Sequence, residues 1–135
     1  MTEDVIIKSK ELFYRGKSFD FLKALEVREV AKYLPSRSRR SVLRNFQTIE
    51  QFIKRCEEKL AKKKKIKTHL RDIVIVPKLV GMTIGIYNGQ KFNDTIITHN
   101  MIGHRLGEFS LTRQKVQHGA PGIGATKSSS GVQKT

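Results

Sequence analysis

The chain reads as an α+β protein: N-terminal helices, then a small three-stranded sheet, then an extended C-terminal arm. Three observations predict this order. Apolar residues recur at helical spacing up to about residue 60, and shorter β-branched runs with turn residues replace them further on. From Leu111 onward glycine, serine and basic residues dominate, with no period and no acid.

The helical part opens at Ser18. Residues Ser18 to Leu34 predict one or two short helices, with Ser18 placed to cap, Pro35 placed to stop, and an apolar stripe of Leu22, Leu25, Val30, Tyr33 and Leu34. In the next stretch, Ser36 to Arg44, a helix would put Arg37, Arg40 and Arg44 on one face, with Arg39 beside them. A further helix is expected from Thr48, because Thr48-Ile49-Glu50-Gln51 has the form of a capping box. Ile49, Phe52, Ile53, Cys56 and Leu60 would be its buried side; Lys54, Arg55, Glu58 and Lys62 would be its wet side, with Glu50–Lys54 and Glu58–Lys62 as i,i+4 pairs. Lys62, Lys63, Lys64 and Lys65 are four like charges in a row, expected as an extended or frayed basic linker.

Beyond the linker, Ile73 to Val76 is a β-branched run ended by Pro77 and predicts a buried strand. Met82 to Tyr87 and Gln90 to Thr98 flank Asn88-Gly89, the pair best suited to a two-residue type I′ turn, and predict a hairpin. Thr98 is placed to cap one helical turn, with Gly103 as its stop. The chain thus divides into an N-terminal extension (1–17), a basic helical region and linker (18–66), an α+β core (67–110) and the arm (111–135).

Charge is the strongest functional signal. The 27 Lys and Arg against 12 Asp and Glu leave a formal +15, which opposes compaction by self-repulsion and calls for a polyanionic partner. The excess is not uniform. Residues 36–71 hold thirteen basic and three acidic side chains, residues 72–110 three of each, and residues 111–135 four basic and none acidic. The single cysteine, Cys56, suits a reducing compartment, the first residues do not read as a signal peptide, and no apolar run approaches the roughly 20 residues of a membrane span. A cytoplasmic protein with no membrane partner is expected.

An enzyme needs placed carboxylates or an activated nucleophile, and the sheet region offers only Asp72, Asp94 and Glu108. The chain is therefore read as non-enzymatic. His69, His99, His104 and His118 show no metal-ligand spacing, so neither metal nor cofactor is expected; His69, His104 and His118 suit ring stacking or phosphate contact, or plain polar surface. Arginine's planar fork of donors suits bidentate phosphate contact at Arg37, Arg39, Arg40 and Arg44, and the four lysines add sequence-independent attraction. In the arm, Gly119, Gly122 and Gly124 would let backbone approach phosphates while Arg113, Lys115 and Lys127 supply charge; a disordered tail would have the same composition. Gly119 to Gly122 fits the letters of a GXXG clamp, yet Pro121 and the lack of flanking helices argue against one.

The stretch from Asn88 to Thr126 carries a resemblance. Asn88-Gly89 followed by Gly103-His104-Arg105-Leu106-Gly107-Glu108-Phe109-Ser110-Leu111-Thr112 resembles the signature of the small-subunit ribosomal protein nineteen family. Lys67 to Asp72, Val116 to Thr126, Phe13 to Gly16 and Arg37 to Ser41 resemble its archaeal and eukaryotic cytosolic branch, and the likeness spans roughly Leu12 to Ser129. It implies a structural constituent of the small-subunit head that binds the 3′ major domain of small-subunit ribosomal RNA. It further implies ribosomal protein thirteen of that subunit as a neighbour, and an arm directed toward the tRNA sites. By position it puts RNA contacts on Arg37 to Arg44, Lys67, His69 and Arg71, the Asn88-Gly89 turn with Lys91, His104-Arg105, and the arm from Arg113. His99-Asn100 stands where the family has Pro-Glu, Arg105 where an aromatic residue is frequent, and the last six residues lack the family's ending. Basic charge alone would also serve an architectural DNA-binding protein, the alternative reading.

Overall fold

A computed structural model of the protein describes residues 12–115. It begins with a minimal hairpin, β1 (Phe13–Tyr14) against β2 (Lys17–Ser18). Arg15 and Gly16 join the strands at φ +48° and +76°. Two consecutive positive φ values are what a type I′ turn requires. The helices follow as α1 (Phe19–Ala24), α2 (Val27–Val30) running into a 3₁₀ turn at Ala31–Tyr33, α3 (Ser36–Arg44) and α4 (Phe46–Ala61). The sheet is β3 (Ile66–Thr68), β4 (Thr83–Tyr87) and β5 (Phe92–Ile96), with β3 parallel and β5 antiparallel to β4.

The α+β class and the three-stranded sheet agree with expectation, but the third strand is a different one. Ile73–Val76 is buried, at 0–4% exposure, and does not join the sheet. Its partner is the Gly103–Leu106 segment: Ile75 N–H donates to His104 O at 2.8 Å, and Leu106 N–H donates to Ile73 O at 3.0 Å. Four consecutive buried side chains demand cover on both sides, and the hydrophobic cluster shared by helices and sheet takes them in, while the 103–106 segment pairs along the edge. Ile66–Thr68 pairs with β4 instead, where Ile66 and Thr68 are buried and Lys67 faces outward.

Three local expectations also change. Ser18 sits at the N-cap of α1, but its side chain caps nothing; Phe19 N–H donates to Leu12 O across the hairpin instead. The helix expected from Thr48 starts earlier, with Asn45 as its N-cap, because α3 and α4 are separated by that one residue. The Thr48 capping box is therefore not formed, and neither Glu50–Lys54 nor Glu58–Lys62 closes into an ion pair. Finally, Asn88-Gly89 is not a two-residue turn: Tyr87 pairs with Phe92, leaving a four-residue loop in which Gly89 has φ +101° and Asn88 does not enter the positive region. The Asn88 side chain decides this, since its Oδ1 accepts the N–H groups of Gln90 at 2.9 Å and Lys91 at 2.8 Å.

Helices and sheet share one hydrophobic cluster. Val30, Leu34, Val42, Ile49, Phe52 and Cys56 meet Ile75, Leu79, Ile84, Ile86, Ile97 and Leu106. The predicted stripe of α4 holds through Cys56 and ends there, because Leu60 is 46% exposed.

Candidate nucleic-acid interface

The tetralysine is a helix stop, not a frayed linker. Lys62 is the C-cap of α4, Lys63 adopts φ +52°, Lys63 N–H donates to Leu60 O at 2.9 Å, and Lys64 N–H donates to Lys59 O at 2.8 Å. These are the two bonds of a Schellman motif, with lysine at the left-handed position that glycine ordinarily fills. The cationic side chains also complement the negative end of the helix dipole. All four lysines remain exposed.

On α3, Val42 faces the core, and Arg37, Arg40 and Arg44 are exposed, as the spacing predicts. Arg39 turns back on the fold: its Nε donates to Ala31 O at 3.1 Å and its Nη2 to Lys32 O at 2.8 Å, taking up carbonyls of the 3₁₀ turn. Ser38 and Ser41 occupy the side of α3 toward the 103–106 segment. Ser38 Oγ donates to Gly103 O at 2.7 Å, and Ser41 Oγ accepts from Arg105 Nη2 at 2.9 Å. Arg105 also reaches Asp72 O at 3.3 Å, so the residue standing in place of a frequent aromatic braces α3 against the strand region.

Arg71 is committed more completely. Its Nη1 donates to Tyr87 O, and its Nη2 to Gly107 O at 2.8 Å and Ser110 O at 2.7 Å, joining the end of β4 to the 3₁₀ segment Leu106–Phe109 and the residue beyond it. Gly107 allows the approach, since a Cβ there would lie 3.0 Å from Arg71 O and 3.1 Å from Arg71 Cβ. Asn88 is likewise buried, its oxygen taken by the loop.

The remaining expected residues are available at the surface. Lys67 and His69 lie at the outer face of β3 and just beyond it: Lys67 Nζ sits 5.2 Å from the Phe92 ring centre, and the His69 ring rests 4.6 Å from Tyr87 and 5.0 Å from Phe92. Gly89, Lys91, Arg113 and Lys115 are exposed. His104 Nδ1 pairs with Glu108 Oε2 at 2.7 Å, and both side chains are about half exposed. His118, Gly119, Gly122, Gly124 and Lys127 lie outside the described residues. Two cations that sequence reasoning left out are Arg55 and Lys59, one turn apart on α4 beside β3; their i,i+4 spacing was legible, but not what they would face.

Among the described residues no Lys or Arg closes an ion pair with Asp or Glu, and His104–Glu108 is the one His–carboxylate contact, so the thirteen-to-three excess over residues 36–71 is not neutralised there. Among the same residues no three His, Cys, Asp or Glu side chains gather to hold a metal, and no helix is long and apolar enough to cross a membrane. Fold and surface together define a small α+β scaffold protein that displays unpaired cations around a braced core.

Comparison with known proteins gives that class its family. The model of the family described as ribosomal protein S19 matches residues 37–118. The small ribosomal subunit protein uS19 of Halorubrum lacusprofundi is 46% identical over 129 residues, covering 90% of this chain and 89% of that protein. Those of Picrophilus torridus (45% over 122 residues, 90% and 80% covered) and Saccharolobus solfataricus (44% over 124 residues, 89% of each) are similar in kind. The chain belongs to the ribosomal protein S19 family. It is accordingly a structural, non-enzymatic constituent of the small subunit of the cytoplasmic ribosome.

Proposed function

We propose that the chain binds small-subunit ribosomal RNA directly, in the 3′ major domain that forms the subunit head, and fixes local RNA shape by neutralising phosphates. The observation that carries this reading is the exposed, unpaired cation set of α3 and the α4 stop: Arg37, Arg40 and Arg44, with Lys62 to Lys65. Residues 18–66 supply this basic surface, residues 67–110 supply the braced core beside it, Lys67, His69 and Lys91 extend the surface along the sheet side, and His104 extends it beside α3, next to the Gly103 carbonyl that Ser38 holds. Arg71, Arg105 and Asn88 act by positioning, since their polar groups are engaged within the fold, and Arg39, exposed at the surface, is tethered to the carbonyls of Ala31 and Lys32. In the same reading ribosomal protein thirteen is the neighbour in the head, and the arm from Arg113, through His118, Gly119, Gly122, Gly124 and Lys127, extends toward tRNA; the family resemblance supports both.

The test is affinity for a 3′ major domain RNA fragment as a function of salt. Replacing Arg37, Arg40 and Arg44 by alanine lowers the slope of log affinity against log salt by roughly one unit for each phosphate that is no longer neutralised. An unchanged slope places these arginines in solvent and overturns the reading. Equal affinity for duplex DNA at matched salt favours an architectural DNA-binding role instead.

A further inference from the structure

Arg28 lies exposed on α2, whose Val27 and Val30 are buried in the core. Its guanidinium carbon sits 3.7 Å from the centre of the Phe46 ring on α4. At that separation the ring covers one face of the guanidinium plane and leaves the in-plane N–H donors directed sideways. Among the described residues no carboxylate closes an ion pair with it. Arg39 is fixed in a different way, with Nε and Nη2 on the carbonyls of Ala31 and Lys32 at 3.1 and 2.8 Å, which leaves the donors of Nη1 over. Residue 28 thus meets residue 46 while residues 31 and 32 meet residue 39, so the two stretches of chain run side by side in opposite directions and form a seam. Lys32 is exposed one turn beyond Arg28, and Leu43, between Arg39 and Phe46 along the chain, is 49% exposed.

Two guanidiniums held by the protein's own groups, each with donors left over, suit bidentate contact with phosphate, because the side-chain freedom that binding would remove is already lost on folding. An exposed leucine between the two anchors matches the apolar edge of a ribose between its phosphates. A carboxylate would fit the same forks, but Arg37, Arg40 and Arg44 occupy the adjoining outer face of α3, so the seam continues a cationic surface of the kind a polyanionic backbone needs. We propose that the seam from Arg28, on its Phe46 rest, to Arg39 holds a stretch of ribosomal RNA backbone, with phosphates on the two arginine forks and Lys32 and a ribose against Leu43. The proposal rests on the RNA-binding reading above and adds to it a second contact line, in which Arg28 and Lys32 bind and Phe46 positions.

The full chain is titrated with the 3′ major domain RNA fragment at several salt concentrations, and melting temperatures are followed in parallel. Arg28→Ala lowers affinity about ten-fold at low salt and lowers the slope of log affinity against log salt by roughly one unit. Arg28→Lys keeps the charge and the slope but not the fork, and recovers only part of the affinity. Phe46→Leu leaves every charge in place and removes the ring, so affinity falls at an unchanged slope, and Phe46→Tyr restores it. Arg28 is exposed, so its variants keep the wild-type melting temperature and decide the matter should Phe46→Leu unfold. Wild-type affinity and slope in Arg28→Ala, with Arg37→Ala still weakening binding, overturn the seam and leave the broader RNA reading standing; failure of the wild-type chain to bind the fragment overturns both. Small subunits that fail to incorporate Arg28→Ala while fragment binding stays at the wild-type level also overturn the seam, and give the stacked arginine to a carboxylate of a neighbouring protein.

Discussion

Replacing Arg71 tests whether a basic residue in a segment expected to face RNA serves the fold or the ligand. The guanidinium spans the carbonyls of Tyr87, Gly107 and Ser110, at the end of β4 and at two points around the 3₁₀ segment. A hydrogen bond to a charged donor is worth about 1.5–3 kcal/mol, and carbonyls left without a partner add a desolvation cost, but three bonds made by one side chain are not additive. Arg71 is also only partly buried, which lets water reach some of the vacated carbonyls. Arg71→Ala is therefore expected to lower unfolding free energy by about 2–4 kcal/mol. Arg71→Lys keeps the charge but not the fork, and one ammonium cannot follow three carbonyls in the same geometry, so it recovers half or less. Urea unfolding reads this as a fall in midpoint at constant m-value. With stability restored at low temperature, the salt slope of RNA binding stays at the wild-type value. A variant with an unchanged midpoint and a reduced slope would refute the argument and return Arg71 to the RNA surface.

Three further outcomes follow from the same geometry. Gly107→Ala forces its new Cβ to 3.0 Å from Arg71 O and is expected to cost about 1–3 kcal/mol, read as a lowered melting temperature; a neutral effect would show that the clamp tolerates a shift. Lys63→Gly relieves a positive-φ lysine at the end of α4 and should gain about 1 kcal/mol in urea unfolding while weakening RNA binding, and a loss of stability would contradict the Schellman reading. Burial pushes the Cys56 thiol up to about 11 from an ordinary 9.0, partly offset by Lys59 and Arg55. The unfolded chain ionises first, so this contribution is complete below pH 9 and disappears as pH rises through 9–11, by roughly 2–3 kcal/mol; Cys56→Ala should flatten that part of the stability profile, and an equal decline in both proteins would dismiss it.

Several features of the fold were legible in the chain because they depend on spacing along it. The amphipathic face of α4 through Cys56, the arginine face of α3 and the presence of a hairpin after Met82 are of this kind. The failures share another cause. Asn88-Gly89 is the best local candidate for a type I′ turn, yet the side chain of Asn88 satisfies two backbone donors and builds a four-residue loop, whereas Arg15-Gly16 makes the tight turn. The strand at Ile66–Thr68 was hidden because only three residues form it, directly after a lysine run that reads as linker. Ile73–Val76 reads as a strand from composition, but which partner it takes is a matter of three-dimensional layering.

Charge and composition alone decided what kind of partner this chain needs, because net charge and its distribution along the chain are additive and survive any folding. The family signature was equally legible, since it is a string of residue identities. Only the tertiary structure decided which arginines the fold takes up. Arginine has five donors and can satisfy either phosphates or main-chain carbonyls, and the choice depends on whether unpaired carbonyls lie within reach. At Arg39, Arg71 and Arg105 they do, Arg39 while still exposed at the surface; Arg37, Arg40 and Arg44 share the outer face that their spacing predicts, and the choice that spacing could not show is which of the other arginines finds a carbonyl.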